Sequence, residues 1–92
     1  MPVVWTFAAA RGVWHTNDYL AEFDPRSAMH IAACLRADGN SLVNFPARGR
    51  PVPGTNMLEL VTSYPYIIRY RIEGEDEVIL RIRHSARRPA TP

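Results

Sequence analysis

The sequence predicts an α+β domain, with an N-terminal strand and a two-helix hairpin packed on one face of a mostly antiparallel sheet. Three observations carry this. Val3-Val4-Trp5 is a β-type triplet, apolar residues recur at helical spacing from Phe7 to Phe45, and from Leu58 to His84 they alternate residue by residue. No helix-type stretch separates the later β-type runs, so they pair as antiparallel neighbours and the helices cover one face.

The first helix is expected from about Phe7 to Glu22, with Ala10, Val13, Trp14, Leu20 and Ala21 near one stripe and Asn17 interrupting it. Gly12 weakens that helix by about 1 kcal/mol relative to alanine. The second helix opens on Asp24 as N-cap and Pro25 as its first residue, where proline has no needed N–H to lose. Ala28, Ile31, Leu35, Leu42 and Phe45 form its stripe and Pro46 ends it, with Gly39 as a second soft spot. Trp5 and Trp14 are assigned to the core, and Cys34, beside the second stripe, to inert packing.

Pro46 to Asn56 reads as a loop from its prolines and glycines. Strands follow. Leu58 and Leu60 alternate with Glu59 and Val61, and Tyr66, Ile68, Tyr70 and Ile72 alternate with Ile67, Arg69 and Arg71. Val78, Leu80 and Ile82 alternate with Ile79, Arg81 and Arg83, after a hairpin turn from Glu73 to Glu77 around Gly74.

If both final strands keep their apolar sets on the helix side, paired residue numbers sum to an even value. Ile72 then pairs with Val78, Arg69 faces Arg81, and His84 joins Val78, Leu80 and Ile82 beneath the helices. Arg69, Arg71, Arg81 and Arg83 share the opposite face. Like charges directly opposed destabilise a sheet, so something acidic must answer them. Glu59 with solvent is one reading; an anionic partner, an acidic protein segment or an RNA backbone, is the other.

Bulk composition narrows the classes. Ninety-two residues, 47% of them hydrophobic, make one ordered domain. Residues 1–87 are assigned to it and 88–92 to a C-terminal tail, the composition turning tail-like from Ala86. No apolar run approaches the roughly 20 residues of a membrane span, and Met1-Pro2-Val3-Val4-Trp5 lacks a signal peptide's basic start. A cytoplasmic protein is expected. Cys34 is the single cysteine, which excludes an intrachain disulfide, and His15 and His30 lie on different helices without ligand spacing. No metal or cofactor is therefore expected. All eleven basic residues are arginines, permanently charged forks suited to carboxylates and phosphates.

Several segments, in order, resemble one family. Trp5-Thr6, Asp18-Tyr19-Leu20-Ala21-Glu22, Asp24-Pro25, Phe45-Pro46 and Gly49-Arg50-Pro51 match its first half. Tyr66-Ile67-Ile68-Arg69-Tyr70-Arg71-Ile72 resembles its central strand, and Val78 to Arg87, with His84 and Arg87 in a His-x-x-Arg ending, its last. The family is the ParE branch of the ParE/RelE toxin superfamily. Phe7, Gly12 and Thr16 depart from its pattern, all within the first helix.

The resemblance implies a bacterial toxin of a type II toxin–antitoxin system that inhibits DNA gyrase, and not a hydrolytic enzyme. It implies neutralisation by a ParD-like antitoxin carrying a ribbon-helix-helix DNA-binding domain, in a hetero-oligomer that binds operator DNA through the antitoxin. Arg69, Arg71, Arg81 and Arg83 are the expected antitoxin-binding residues, with the hairpin acids Glu75, Asp76 and Glu77 as a possible addition or as solvated surface. Arg50, His84 and Arg87 are the candidates for toxicity.

Two alternatives stand beside this. A RelE-like, ribosome-dependent mRNA endoribonuclease needs a base for the ribose 2′-hydroxyl, an acid for the leaving oxygen and cations for the developing charge. Arg81, Arg83, His84 and Glu59 are the set available for that chemistry, His84 being the one group that shuttles protons near neutrality. A non-toxic, antitoxin-bound co-repressor is the other, suggested by Gly12 and Gly39 inside helices.

Overall fold

A computed structural model of the chain describes residues 2–62 and 64–85. The segment read as a tail, Ala86 to Pro92, lies outside the described residues, and Arg87 with it. The elements are β1 (Val3–Trp5), α1 (Phe7–Ala21), α2 (Pro25–Asn40), a 3₁₀ turn (Ser41–Val43), β2 (Arg50–Pro51), β3 (Met57–Val61), β4 (Tyr66–Glu73) and β5 (Asp76–His84). The strands form one sheet in the order β1-β5-β4-β3-β2, antiparallel except where β1 runs parallel to β5. The expected α+β architecture holds. The loop from Pro46 additionally contains β2, two residues paired to Leu58 and Glu59.

Thr6 joins strand to helix. Its hydroxyl accepts from the Ala9 N–H at 3.2 Å, capping α1, and donates toward the carbonyls of Ile79 and Leu80 on β5. α1 buries Ala9 and Val13 against the sheet. Trp14 comes one position later, about 100° around the axis, and is 71% exposed. Its assignment to the core is therefore corrected, whereas Trp5 does pack against both core clusters. Gly12 lies over Ile82, and an added Cβ would meet that residue at an ordinary 3.5 Å. Gly12→Ala is expected to stabilise the protein by about 0.5–1 kcal/mol, the gain in helix propensity, read as a raised urea midpoint.

α2 begins as expected. The Asp24 carboxylate accepts from the N–H groups of Arg26 and Ser27 and from the Ser27 hydroxyl, and these bonds, led by the hydroxyl, hold its pKa below the ordinary value. Its buried stripe is Ala28, Ala32, Leu35 and Gly39. The helix stops at Asn40, before the expected Pro46, and Phe45 is 63% exposed instead of closing the stripe. At that end the Ser41 hydroxyl donates to the Asp38 carbonyl, answering one carbonyl that the helix leaves open. Cys34 is half-buried with its thiol 3.7 Å from His30 Nε2.

One core joins helices and sheet. Ala9, Leu42, Leu60, Ile68, Tyr70 and Ile79 form one cluster, and Val13, Ala32, Leu35 and Tyr66 the other, with Trp5 and Ile82 touching both. The uniform even pairing of β4 and β5 is corrected. Their two-residue turn, with Gly74 at φ +59°, pairs Glu73 with Asp76 and Ile72 with Glu77, not with Val78. A β-bulge at Leu80 then shifts the register, so that Arg69 does face Arg81 and Ile68 faces Ile82. Below the bulge Ile79 points into the core, fully buried, where the even pairing had put it among the arginines.

Candidate functional site

The open face of the sheet carries a cross-strand row of charges. Arg50 on β2 pairs in register with Glu59 on β3, Glu59 with Arg69 on β4, and Arg69 with Arg81 on β5. Side chains directly opposite point to the same face, so four strands place these four residues side by side. Glu59 is the hub. Its Oε2 accepts from Arg69 Nη2 at 2.7 Å and Nε at 3.1 Å, and from Arg83 Nη2 at 3.4 Å. The three side chains are 18–23% exposed, which makes these ion pairs partly desolvated and stronger than surface ones. Burial raises the Glu59 carboxyl, but the Arg69 hydrogen bond and charge, with those of Arg83, outweigh it and hold the group below its ordinary value of 4.5.

The remaining predicted residues divide between the faces. Arg71 reaches Glu73 at 3.1 Å, a pair close to solvent. Arg50 and Arg81, at the two ends of the row, are exposed and make no ion pair among the described residues. His84 lies on the other face. It stands opposite Tyr66 in the register, and the two rings meet edge-on with centroids 5.3 Å apart. Alternation thus puts Glu59, Arg81 and Arg83 on one side of the sheet and His84 on the helix side, as its sequence parity required. Arg87, the third toxicity candidate, lies outside the described residues. Glu77 is corrected most sharply. Expected on a solvated hairpin, it is 1% exposed, and its Oε1 has no hydrogen-bond partner. The odd pairing below the bulge is what turns it inward.

Tyr70 escaped the sequence reading as anything but an apolar strand residue. Fully buried, it accepts from the Gly49 N–H and donates to the Pro46 carbonyl, both at 2.8 Å. That clamp fixes the loop leading into Arg50. Burial first, with Glu77 adding, pushes the phenol upward against the opposing effects of Gly49 and Arg48. A tyrosine in the middle of a core-parity strand was the available signal, since a buried hydroxyl needs a partner.

The outer surface of the helical hairpin exposes large apolar side chains among charged ones such as Arg11, Asp18, Arg26 and Arg36. Phe7, Trp14, Phe23 and Met29 are 69–81% exposed, and a groove between α1 and α2 is lined by Ala10, Val13, Ala32 and Ala33 with Arg36 at its rim. Among the described residues no group of three or more metal-ligating side chains gathers.

Known proteins resemble this chain in sequence and fold. Residues 3–89 match the family described as ParE toxin of type II toxin-antitoxin system, parDE. The chain belongs to the ParE toxin family. It is 40% identical over 85 residues to Toxin RelE2 of Caulobacter vibrioides, covering 92% of this chain and 96% of that one. Toxin RelE1 of the same organism is 38% identical over 68 residues, 72% of this chain and 73% of its own. In structure it matches a chain of the chromosomal ParDE TA system from P. aeruginosa with a TM-score of 0.81 and 25% identity, over 91% of this chain and 95% of that one. This ParE-family chain is accordingly the toxin component of a type II toxin–antitoxin pair, and no helix among its described residues is long and apolar enough to cross a membrane.

Proposed function

We propose that this toxin inhibits DNA gyrase in the bacterial cytoplasm and does not cleave mRNA. One observation carries the reading: the groups that ribonuclease chemistry would pair are separated by the sheet. Glu59 is kept ionised by two arginines on the open face, while His84 packs edge-on against Tyr66 on the helix face. A base and an acid must both come within hydrogen-bond reach of one ribose-phosphate, and these two point away from each other. A ParD-like antitoxin covers the arginine strands, supplies a ribbon-helix-helix domain, and lets the complex repress its own operon. Arg50, exposed at the end of its row, is the described residue best placed for toxicity.

Ribosome-dependent mRNA cleavage is kept as the second reading, because the relatives in Caulobacter vibrioides carry RelE names. The co-repressor reading is left with Gly12 alone as its motive, since Gly39 sits at a close contact, where an added Cβ would come 2.5 Å from Trp5.

Purified toxin in a gyrase supercoiling assay, beside in vitro translation scored for mRNA cleavage, tests the proposal. Blocked supercoiling with intact mRNA, unchanged in His84→Ala, is the expected result. Normal supercoiling with codon-phased cleavage, lost by about 10²–10⁴-fold in His84→Ala as for an acid–base group, overturns it.

A further inference from the structure

We infer that the Arg50–Glu59–Arg69–Arg81 row is a docking track for an extended acidic segment whose two carboxylates stand four residues apart. This rests on the reading that the toxin is held by a protein partner, and it names the chemistry of that contact. The two outer arginines are exposed and make no ion pair among the described residues, whereas Glu59 already answers the central Arg69. Arg50 and Arg81 are three strand spacings apart, about 14 Å at about 4.8 Å per strand. An extended segment crossing the strands advances about 3.3 Å per residue and returns to the same face every second residue. Positions i and i+4 therefore fall over the two arginines, and position i+2 over the neutralised Glu59–Arg69 pair. Exposed Val61 and Val4, on the same face by their pairing with Ile67 and Val78, give the segment apolar contact beside the row.

The row favours a peptide over a nucleic acid for two reasons. A nucleic-acid strand carries a phosphate on every residue, and crossing the row sets one beside the Glu59 carboxylate. Single-stranded recognition also stacks bases on aromatic side chains. The described strand residues of this face, with Val4, Met57, Glu59, Val61 and Ile67 beside the arginines, include no aromatic one.

The test is a fluorescence anisotropy titration of full-length toxin with blocked nine-residue peptides in a Thr/Val background. One peptide carries aspartates four positions apart, a second carries them adjacent, and an oligoribonucleotide is titrated in parallel. The spaced peptide is expected to bind more tightly than the adjacent one, and to be lost between about 0.1 M and about 1 M salt, as screening shortens from about 10 Å to about 3 Å. Arg50→Ala and Arg81→Ala, each checked for fold by circular dichroism, should weaken it about threefold apiece and about tenfold together, the size of exposed charge pairs. Equal affinity for the two peptides, indifference to both substitutions, or tighter binding of the oligoribonucleotide through Arg81 overturns the inference. The titration uses neither antitoxin nor gyrase, so a track that does not bind is distinguished from a toxin that does not poison.

Discussion

Gly39→Val is expected to destabilise the protein by about 3 kcal/mol or more, the upper end of overpacking costs in a filled core. A Cβ on this residue would lie 2.5 Å from Trp5 Cζ2 and 2.8 Å from Ile79 Cδ1. Neither neighbour can withdraw cheaply. The Trp5 indole donates to Asn40 Oδ1 at 2.9 Å, which holds its ring in place, and Ile79 is fully buried beneath it. At about 4–8 °C per kcal/mol for a domain of this size, the melting temperature should fall by roughly 15 °C. Gly39→Ala in a Trp5→Leu background supplies the control, because trimming the indole removes the nearest clashing atoms, Trp5 Cζ2 and Cη2, and leaves only Ile79 Cδ1. The two changes should cost less together than the sum of each alone, a coupling of about 1 kcal/mol or more. Additive losses would mean that the Ile79 contact or the helix end, and not the contact with Trp5, sets the requirement for glycine.

Glu59→Gln is expected to cost about 2 kcal/mol at neutral pH, since it leaves Arg69 and Arg83 partly buried without their carboxylate. The pH dependence carries a definite sign. The folded-state pKa of Glu59 is depressed, so its contribution is fully present above the unfolded value near 4.5 and is lost as pH falls through the lower folded value. Urea unfolding of both proteins should therefore show a gap that is constant above pH 4.5 and closes below it. A gap that persisted undiminished into acid would mean that glutamine fails through its shape or hydrogen bonding and not through charge. The same substitution leaves the track along the row more cationic, which makes its effect on anion binding opposite to its effect on stability.

Most elements were legible because local chemistry fixes them. Asp24-Pro25 fixes the start of α2, and alternation fixes β3 and the first half of β4. The arginine face was legible too, as was the side of the sheet that His84 occupies. The errors cluster where a single residue changes parity or rotation. Trp14 lies one step around the helix from Val13, and Glu77 and Ile79 turn inward because a two-residue turn and a bulge at Leu80 each shift the pairing by one. Alternation cannot locate a bulge, since the inserted residue interrupts the pattern no more than an ordinary buried side chain does.

The sequence by itself determined the fold class, the family, and the presence of a cationic strand face with one carboxylate in its midst. Periodicity, caps and side-chain chemistry are properties of short segments, and they survive without knowledge of what lies across the sheet. Only the tertiary structure decided that Glu59 serves Arg69 and Arg83 at once, that Tyr70 clamps the loop before Arg50, and that Gly39 admits the Trp5 ring. Each of these joins residues from different elements at contact distance, and such distances depend on register and crossing geometry that no single segment encodes.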